Sequence, residues 1–304
     1  MHFRIFTLHP DIFTSFADNS LIARGLAQQV ISLETVNWRE KHGAGKRRQV
    51  DDKPYGGGSG MVLQGEPIYG ALAEYNAVSP LFAEPREMTE YAKLYPNNAD
   101  FFEYAAKHPE HTSATISLTP RGHRYTQQTA EWLASRFETI NLVCGRYEGF
   151  DARVDKAFDL ELSLGDFVLN GGETASMCVV ESVARLVPGF VTKDTSVLHD
   201  SFSSGGNYYS EAHEYIVGTH RLRQKPSLRQ TPTRATTVQN LFSNEEWLRE
   251  IAPHIEHPQF TRPEVWRNIR IPQVLLDGDH KKIQESRTRW LSNSSPKNLP
   301  LEVN

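Results

Sequence analysis

The chain has 304 residues, 38% of them hydrophobic and 20 of them glycine, which suits about two domains of ~150 residues with real cores and excludes a wholly disordered chain. No stretch approaches the ~18 uncharged apolar residues of a membrane span, Asp11 and Asp18 interrupt the N-terminus before a signal-like run forms, and Cys144 and Cys178 supply neither a disulfide framework nor a thiolate metal site, so a cytoplasmic, non-membrane protein is expected. The net charge of −4 hides a division: residues 221–304 carry 14 Lys/Arg against 9 Asp/Glu, and residues 1–220 carry 19 against 28.

In chain order, 3–8 (FRIFTL) and 30–36 (VISLETV) are short apolar or β-branched runs bounded by turn residues and predict strands. The adjacent Asp51 and Asp52 diverge in direction, so an acid–base role competes with simple ordering of their loop. Gly56-Gly57-Gly58-Ser59-Gly60 lacks the Gly-Lys-Ser/Thr ending of a phosphate loop, and no G-x-G-x-x-G follows the first strand, so no ATP or dinucleotide site is expected. Residues 77–112, polar and broken by prolines at 80, 85, 96 and 109, read as an inserted surface excursion with a short helix around 98–107. Strands follow at 114–119 (ATISLT) and 140–144 (INLVC), separated by a helix over 126–137 with Ala130, Leu133 and Phe137 on one face. A second helix over 174–187 aligns Met177, Val180, Ala184 and Val187. Strands alternating with helices predict an α/β fold built on a mainly parallel sheet. Cys144 ends a strand and Cys178 lies in a helix, so both are expected as small buried hydrophobes rather than nucleophiles.

Beyond the second helix, 191–258 is irregular and contains 221–234 (RLRQKPSLRQTPTR), with five basic residues and no acid, which suits an anionic partner or a solvated linker. His254 and His257 are spaced i, i+3 without further ligands, and no metal site is expected. The C-terminal unit, 259–304, opens at Thr261-Arg262-Pro263-Glu264, a favourable helix start.

Three turn-rich segments follow apolar strands: 118–122 (LTPRG), 144–149 (CGRYEG) and 163–173 (SLGDFVLNGGE). Ligands of open α/β sheets bind beyond the carboxyl ends of the strands, where such loops gather, and their glycines allow close main-chain approach. Tight turns would explain any one of them alone.

The strings VDDKPYGGGSGM (50–61), LVCGRYEGFDARV (142–154), LSLGDFVLNGGE (162–173), SVARLVPG (182–189), TRPEVW (261–266) and IPQVLL (271–276) together resemble the bacterial tRNA (guanine-N1)-methyltransferase family, TrmD, in order and over most of the chain. HPDIF (9–13) and SLIARG (20–25) are similar to that family's opening strand and first helix. The resemblance implies an S-adenosylmethionine-dependent homodimer of the SPOUT class: a knotted α/β domain over 1–190 with its trefoil knot toward the C-terminal half, an extended linker over 191–258, and a small helical tRNA-binding domain over 259–304. Carried over residue by residue, the cofactor pocket would be lined by Leu118, Pro120, Gly145, Tyr147, Glu148, Gly149, Leu164, Gly165, Leu169, Gly171 and Gly172. Asp200, in SVLHDSFSSG, matches the family's general base, and Arg185, in SVARLVPG, its catalytic arginine. The implied substrate is the tRNA guanosine directly 3′ of the anticodon, methylated at N1. Residues 80–112 and 206–258 are longer than the family's usual connections, and the chain stops soon after Trp290, so the tRNA-gripping parts depart more than the cofactor loops do. The competing reading is a knotted RNA-binding paralogue with lost or altered activity.

Overall fold

The computed structural model describes residues 1–82, 98–192 and 257–292, with Val197 and Phe202. Asp200, His254 and the basic stretch 221–234 lie outside the described residues.

The chain enters through β1 (His2–Thr7), helix α1 (Thr14–Ala17) and helix α2 (Ser20–Ala27), then β2 (Ser32–Asn37) and the short helix α3 (Trp38–His42). A ribbon of β3 (Asp51–Asp52) and β4 (Val62–Leu63) leads to α4 (Gly65–Glu74). After α5 (Asn98–Lys107) come β5 (Ser113–Arg124), α6 (Gln127–Arg136), β6 (Thr139–Cys144), β7 (Leu160–Ser163) and α7 (Glu173–Ala184). The C-terminal segment holds the hairpin β8 (Val265–Trp266) and β9 (Ile269–Arg270), then α8 (His280–Ser292).

β1, β2, β5, β6 and β7 form one sheet in the order β2-β1-β6-β5-β7, with every neighbouring pair parallel. A parallel sheet is covered on both faces. Phe3, Ile5, Ile116, Ile140 and Leu142 point into a core shared with α6 and α7, while Phe6, Val36 and Val143 alternate to the opposite face against Ile68, Ala71 and Leu72 of α4. The strands expected over 3–8, 30–36, 114–119 and 140–144 and the helices expected over 126–137 and 174–187 are present with shifted ends, whereas HPDIF forms a single 3-10 turn over Pro10–Phe13 and not a strand. β7 (LELS) escapes a hydrophobic scan because its Glu161 is buried, which becomes tolerable only through a distant partner described below.

Three further expectations are corrected. The helix expected within the 77–112 excursion is present over Asn98–Lys107, but it is not a surface feature, because Phe101, Phe102 and Ala105 are buried in the core against Trp132 and Phe137. Residues 261–264 do not start a helix. Trp266 and Ile269 instead pair across a two-residue turn whose Arg267 and Asn268 both have positive φ, the geometry a tight hairpin requires, and Trp266 is buried with its Nε1 donating to Glu66 Oε2 at 2.7 Å. Cys178 is exposed on α7, whereas Cys144 is buried as expected.

A buried arginine joins the C-terminal segment to the sheet. Arg153 holds Asp151 through two bonds, Nε to Oδ1 at 2.9 Å and Nη2 to Oδ2 at 2.8 Å, and donates to the carbonyls of Thr261, Pro263, Glu264 and Ile269 at 2.7 to 3.2 Å. Asp151 Oδ2 accepts in turn from the Thr261 amide at 2.7 Å. A planar guanidinium satisfies this fork and these carbonyls together, and an ammonium cannot. Arg153→Met strands a buried carboxylate and four carbonyls, so a loss of about 3–5 kcal/mol of unfolding free energy is expected in denaturant melts, with Arg153→Lys nearly as damaging. A change below about 1 kcal/mol would contradict the clamp.

Candidate functional site

The site begins where β5 leaves its ladder. Leu118 and His123 both stand opposite Leu162 of β7, so residues 119–122 loop out of the strand and return to it. Gly122 makes the return possible: a Cβ there would lie 2.6 Å from the backbone N and C of Leu162. The next strand, β6, ends in a turn where Tyr147 takes φ +59° and Gly149 φ +93°. A bulky residue in the left-handed region is uncommon and concentrates at functional sites. The third loop, after β7, turns at Gly165 and reaches α7 through Gly171 and Gly172.

Short ties hold the second and third loops together. The Gly172 amide donates to the Gly145 carbonyl at 3.1 Å, and Arg146 pairs with Glu173 through Nη2 to Oε2 at 2.9 Å. Glu173, buried in the first turn of α7, also accepts from Thr7 Oγ1 at 2.8 Å, so β1 supports the same carboxylate. Burial pushes the Cys144 thiol up, and its Sγ lies 3.1 Å from Ser176 Oγ, leaving it a packing residue and not a thiolate.

The three loops surround one cavity of about 340 Å³, within the range of small-molecule sites. Leu118, Pro120, Gly145, Tyr147, Glu148, Gly149, Leu164, Gly165, Leu169, Gly171 and Gly172 all line it. Its rim is apolar and open, with Tyr147 56%, Phe167 54% and Val168 79% exposed. Gly171 and Gly172 let the third loop close onto the second. A Cβ on Gly172 would lie 2.8 Å from Cys144 Cα, and one on Gly171 2.4 Å from Arg146 Nε.

Four further lining residues bear on how the site is built: Arg121, Arg146, His257 and Gln259. Arg121 sits inside the 118–122 loop, and its Nη2 donates both to Asp155 Oδ2 and, at 2.8 Å, to Glu161 Oε1. These two carboxylates are buried, and burial pushes that of Asp155 well above its ordinary range against the pull of Arg121. The first loop is therefore braced onto β7 by charge as well as by the Gly122 crossing. Arg146 was within the quoted motif and is the tie to α7. His257 and Gln259 arrive from beyond the irregular region, with no local signal to connect them to the cavity. Burial lowers the pKa of His257 and so favours its neutral imidazole.

Arg185 does not line the cavity. It caps the far end of α7, 12 residues beyond Glu173, which places it ~18 Å along the helix from the glycine end. Asp51 and Asp52 pair with Leu63 and Val62 in the ribbon, and Asp52 accepts from the Lys53 amide at 2.8 Å and pairs with Arg262 at 3.0 Å, so Asp52 orders its loop. Among the described residues, no group of three His, Cys, Asp or Glu could hold a metal ion, and no helix is long and apolar enough to cross a membrane.

A sequence model described as tRNA (Guanine-1)-methyltransferase TrmD matches residues 1–87, 98–226 and 237–298. The tRNA (guanine-N(1)-)-methyltransferase of Shouchella clausii is 33% identical over 287 residues, 94% of this chain and 85% of that protein. The protein of the same name from Anoxybacillus flavithermus is 31% identical over 290 residues, 95% of this chain and 86% of its own. Among solved structures, the crystal structure of tRNA (m1G37) methyltransferase from Aquifex aeolicus aligns with a TM-score of 0.46 at 24% identity, covering 96% of this chain and 92% of that one. The family match includes helix α5 and most of the irregular region, and it omits residues 88–97, 227–236 and 299–304.

Proposed function

The chain belongs to the tRNA (guanine-1)-methyltransferase TrmD family, and from that membership we propose that it methylates N1 of the guanosine directly 3′ of the anticodon in tRNA, with S-adenosylmethionine as donor. The observation that carries this reading is the convergence of the three loops on one glycine-lined cavity.

The residues present fit the donor. Gly145, Gly149, Gly171 and Gly172 expose main chain to the cavity, Glu148 lines it beside them, and Leu118, Pro120, Leu164 and Leu169 offer apolar walls to a planar base. Bound there, S-adenosylmethionine supplies an electrophilic sulfonium methyl. The chain must supply the rest. Guanine N1 carries a proton and is a poor nucleophile until that proton leaves, so Asp200 is assigned as its acceptor and Arg185 as the cation that steadies the charge developing on O6. An ordinary Asp has a pKa of ~3.9 and is a weak base, so Asp200 depends on desolvation or on Arg185 for its strength. The loops contribute placement, holding methyl and nitrogen in line.

The reach of Arg185 supports a homodimer. An arginine ~18 Å along α7 from the glycine end cannot attend its own cavity, and a second copy would bring another Arg185 to it. A trefoil knot through these loops would account for their rigidity, including the crossing of Gly122 against Leu162, with 1–190 as the knotted domain, 191–258 as linker and 259–304 as a tRNA-binding unit. A tRNA substrate suits a cytoplasmic enzyme. The test is incubation with labelled S-adenosylmethionine and bulk unmodified tRNA, followed by nucleoside analysis. N1-methylguanosine is expected; binding of both ligands without any methylated nucleoside would instead leave an RNA-binding paralogue.

A further inference from the structure

The region before the ribbon ends in a closed turn. Ala44 and Gln49 exchange both backbone hydrogen bonds, at 2.7 and 2.9 Å, and the Arg48 amide donates to the Gly45 carbonyl at 3.2 Å. Gly45 and Arg48 take φ of +65° and +51°, so the turn has a defined shape. Its tip presents Lys46, Arg47 and Arg48 in succession, all exposed and, among the described residues, without an ion-pair partner. This is unusual in a body where exposed cations are commonly paired: Lys41 with Glu74, Lys107 with Glu103, Arg124 with Asp166, Arg262 with Asp52. Three adjacent cations repel one another, and no anion of the described fold relieves them.

The turn is also close to the cavity. The Gln64 amide donates to the Val50 carbonyl at 2.7 Å, and the neighbouring Leu63 amide donates to the carbonyl of Gly149, a lining residue, at 2.9 Å. Two such ladder spacings of ~4.8 Å put the base of the turn roughly 10 Å from the cavity wall. A fixed, unpaired, triply cationic tip projecting from that base fits the phosphates of nucleotides flanking a base held in the cavity. We propose that the turn 44–49 is a phosphate grip for the RNA substrate, an inference that rests on the tRNA-methylating reading above.

Phosphate contacts position an RNA without reading its sequence. Removal of the three charges should therefore raise KM for tRNA and leave kcat at saturating tRNA, S-adenosylmethionine affinity and Tm unchanged. The experiment is filter binding of unmodified tRNA to the full chain and to its K46Q/R47Q/R48Q variant across a salt series. Each lost contact lowers the slope of log K against log salt by ~0.7–0.9, so the slope should fall by about 2 and affinity by about 100-fold near 0.15 M salt. A K46R/R47K/R48K variant, with charge kept and side chains exchanged, should bind like the parent. Unchanged affinity and slope in the Gln variant, with the parent binding tRNA, would overturn the grip and leave the enzyme reading standing. A parent that neither binds nor methylates tRNA would remove the enzyme reading itself and the grip with it.

Discussion

Asp200→Asn is expected to slow methyl transfer by ~10²–10⁴ in single-turnover assays, the usual loss when a general base is removed. The amide keeps the size of the carboxylate and loses its capacity to take the N1 proton. S-adenosylmethionine affinity should stay within a few-fold, because Asp200 belongs to none of the three loops that line the cavity. Turnover at the parent rate would remove Asp200 from the mechanism. A parallel loss of cofactor affinity would move it from proton transfer to pocket construction.

Gly171→Val should weaken S-adenosylmethionine binding by more than ~100-fold, or about 2.7 kcal/mol. The collision is specific. The new Cβ would lie 2.4 Å from Arg146 Nε and 2.5 Å from Glu173 Oε2, so it must displace the ion pair that ties the 144–149 loop to the start of α7. Glu173 would keep Thr7 Oγ1 but lose its cation. Gly145→Val should also abolish binding for a different reason: its Cβ meets only the Phe150 ring, at 3.3 Å, which must give by a few tenths of an ångström, while the added methyls occupy ligand space. Calorimetry on both variants, with melting curves to confirm folding, separates the two causes. Unchanged affinity in both would refute the assignment of the cavity to the methyl donor.

The sheet and the three loops were legible because their information is local. FRIFTL and INLVC are apolar runs between turns, and each loop carries its glycines in the segment that needs them. What stayed hidden is paired over long sequence distances. Glu161 marks LELS as polar until Arg121, 40 residues earlier, neutralises it. Arg153 reads as a surface charge until residues 108 to 116 positions later fold over it. Pro263 before Glu264 suggested a helix start, but burial of Trp266 and Ile269 against α4 selects a hairpin. The limits of helix α5 are legible, yet the prolines and acids around it outweigh Phe101 and Phe102, whose burial only the fold shows. His257 and Gln259 could be joined to the cavity only by the fold itself.

The most direct test of N1-guanosine methylation compares two tRNA transcripts, identical except for guanosine or adenosine directly 3′ of the anticodon, each incubated with the protein and methyl-labelled S-adenosylmethionine. Label should enter the guanosine transcript alone, to a limit of about one methyl per molecule and all of it as N1-methylguanosine. Equal labelling of both transcripts, or labelling of neither by a protein that binds donor and tRNA, would contradict it.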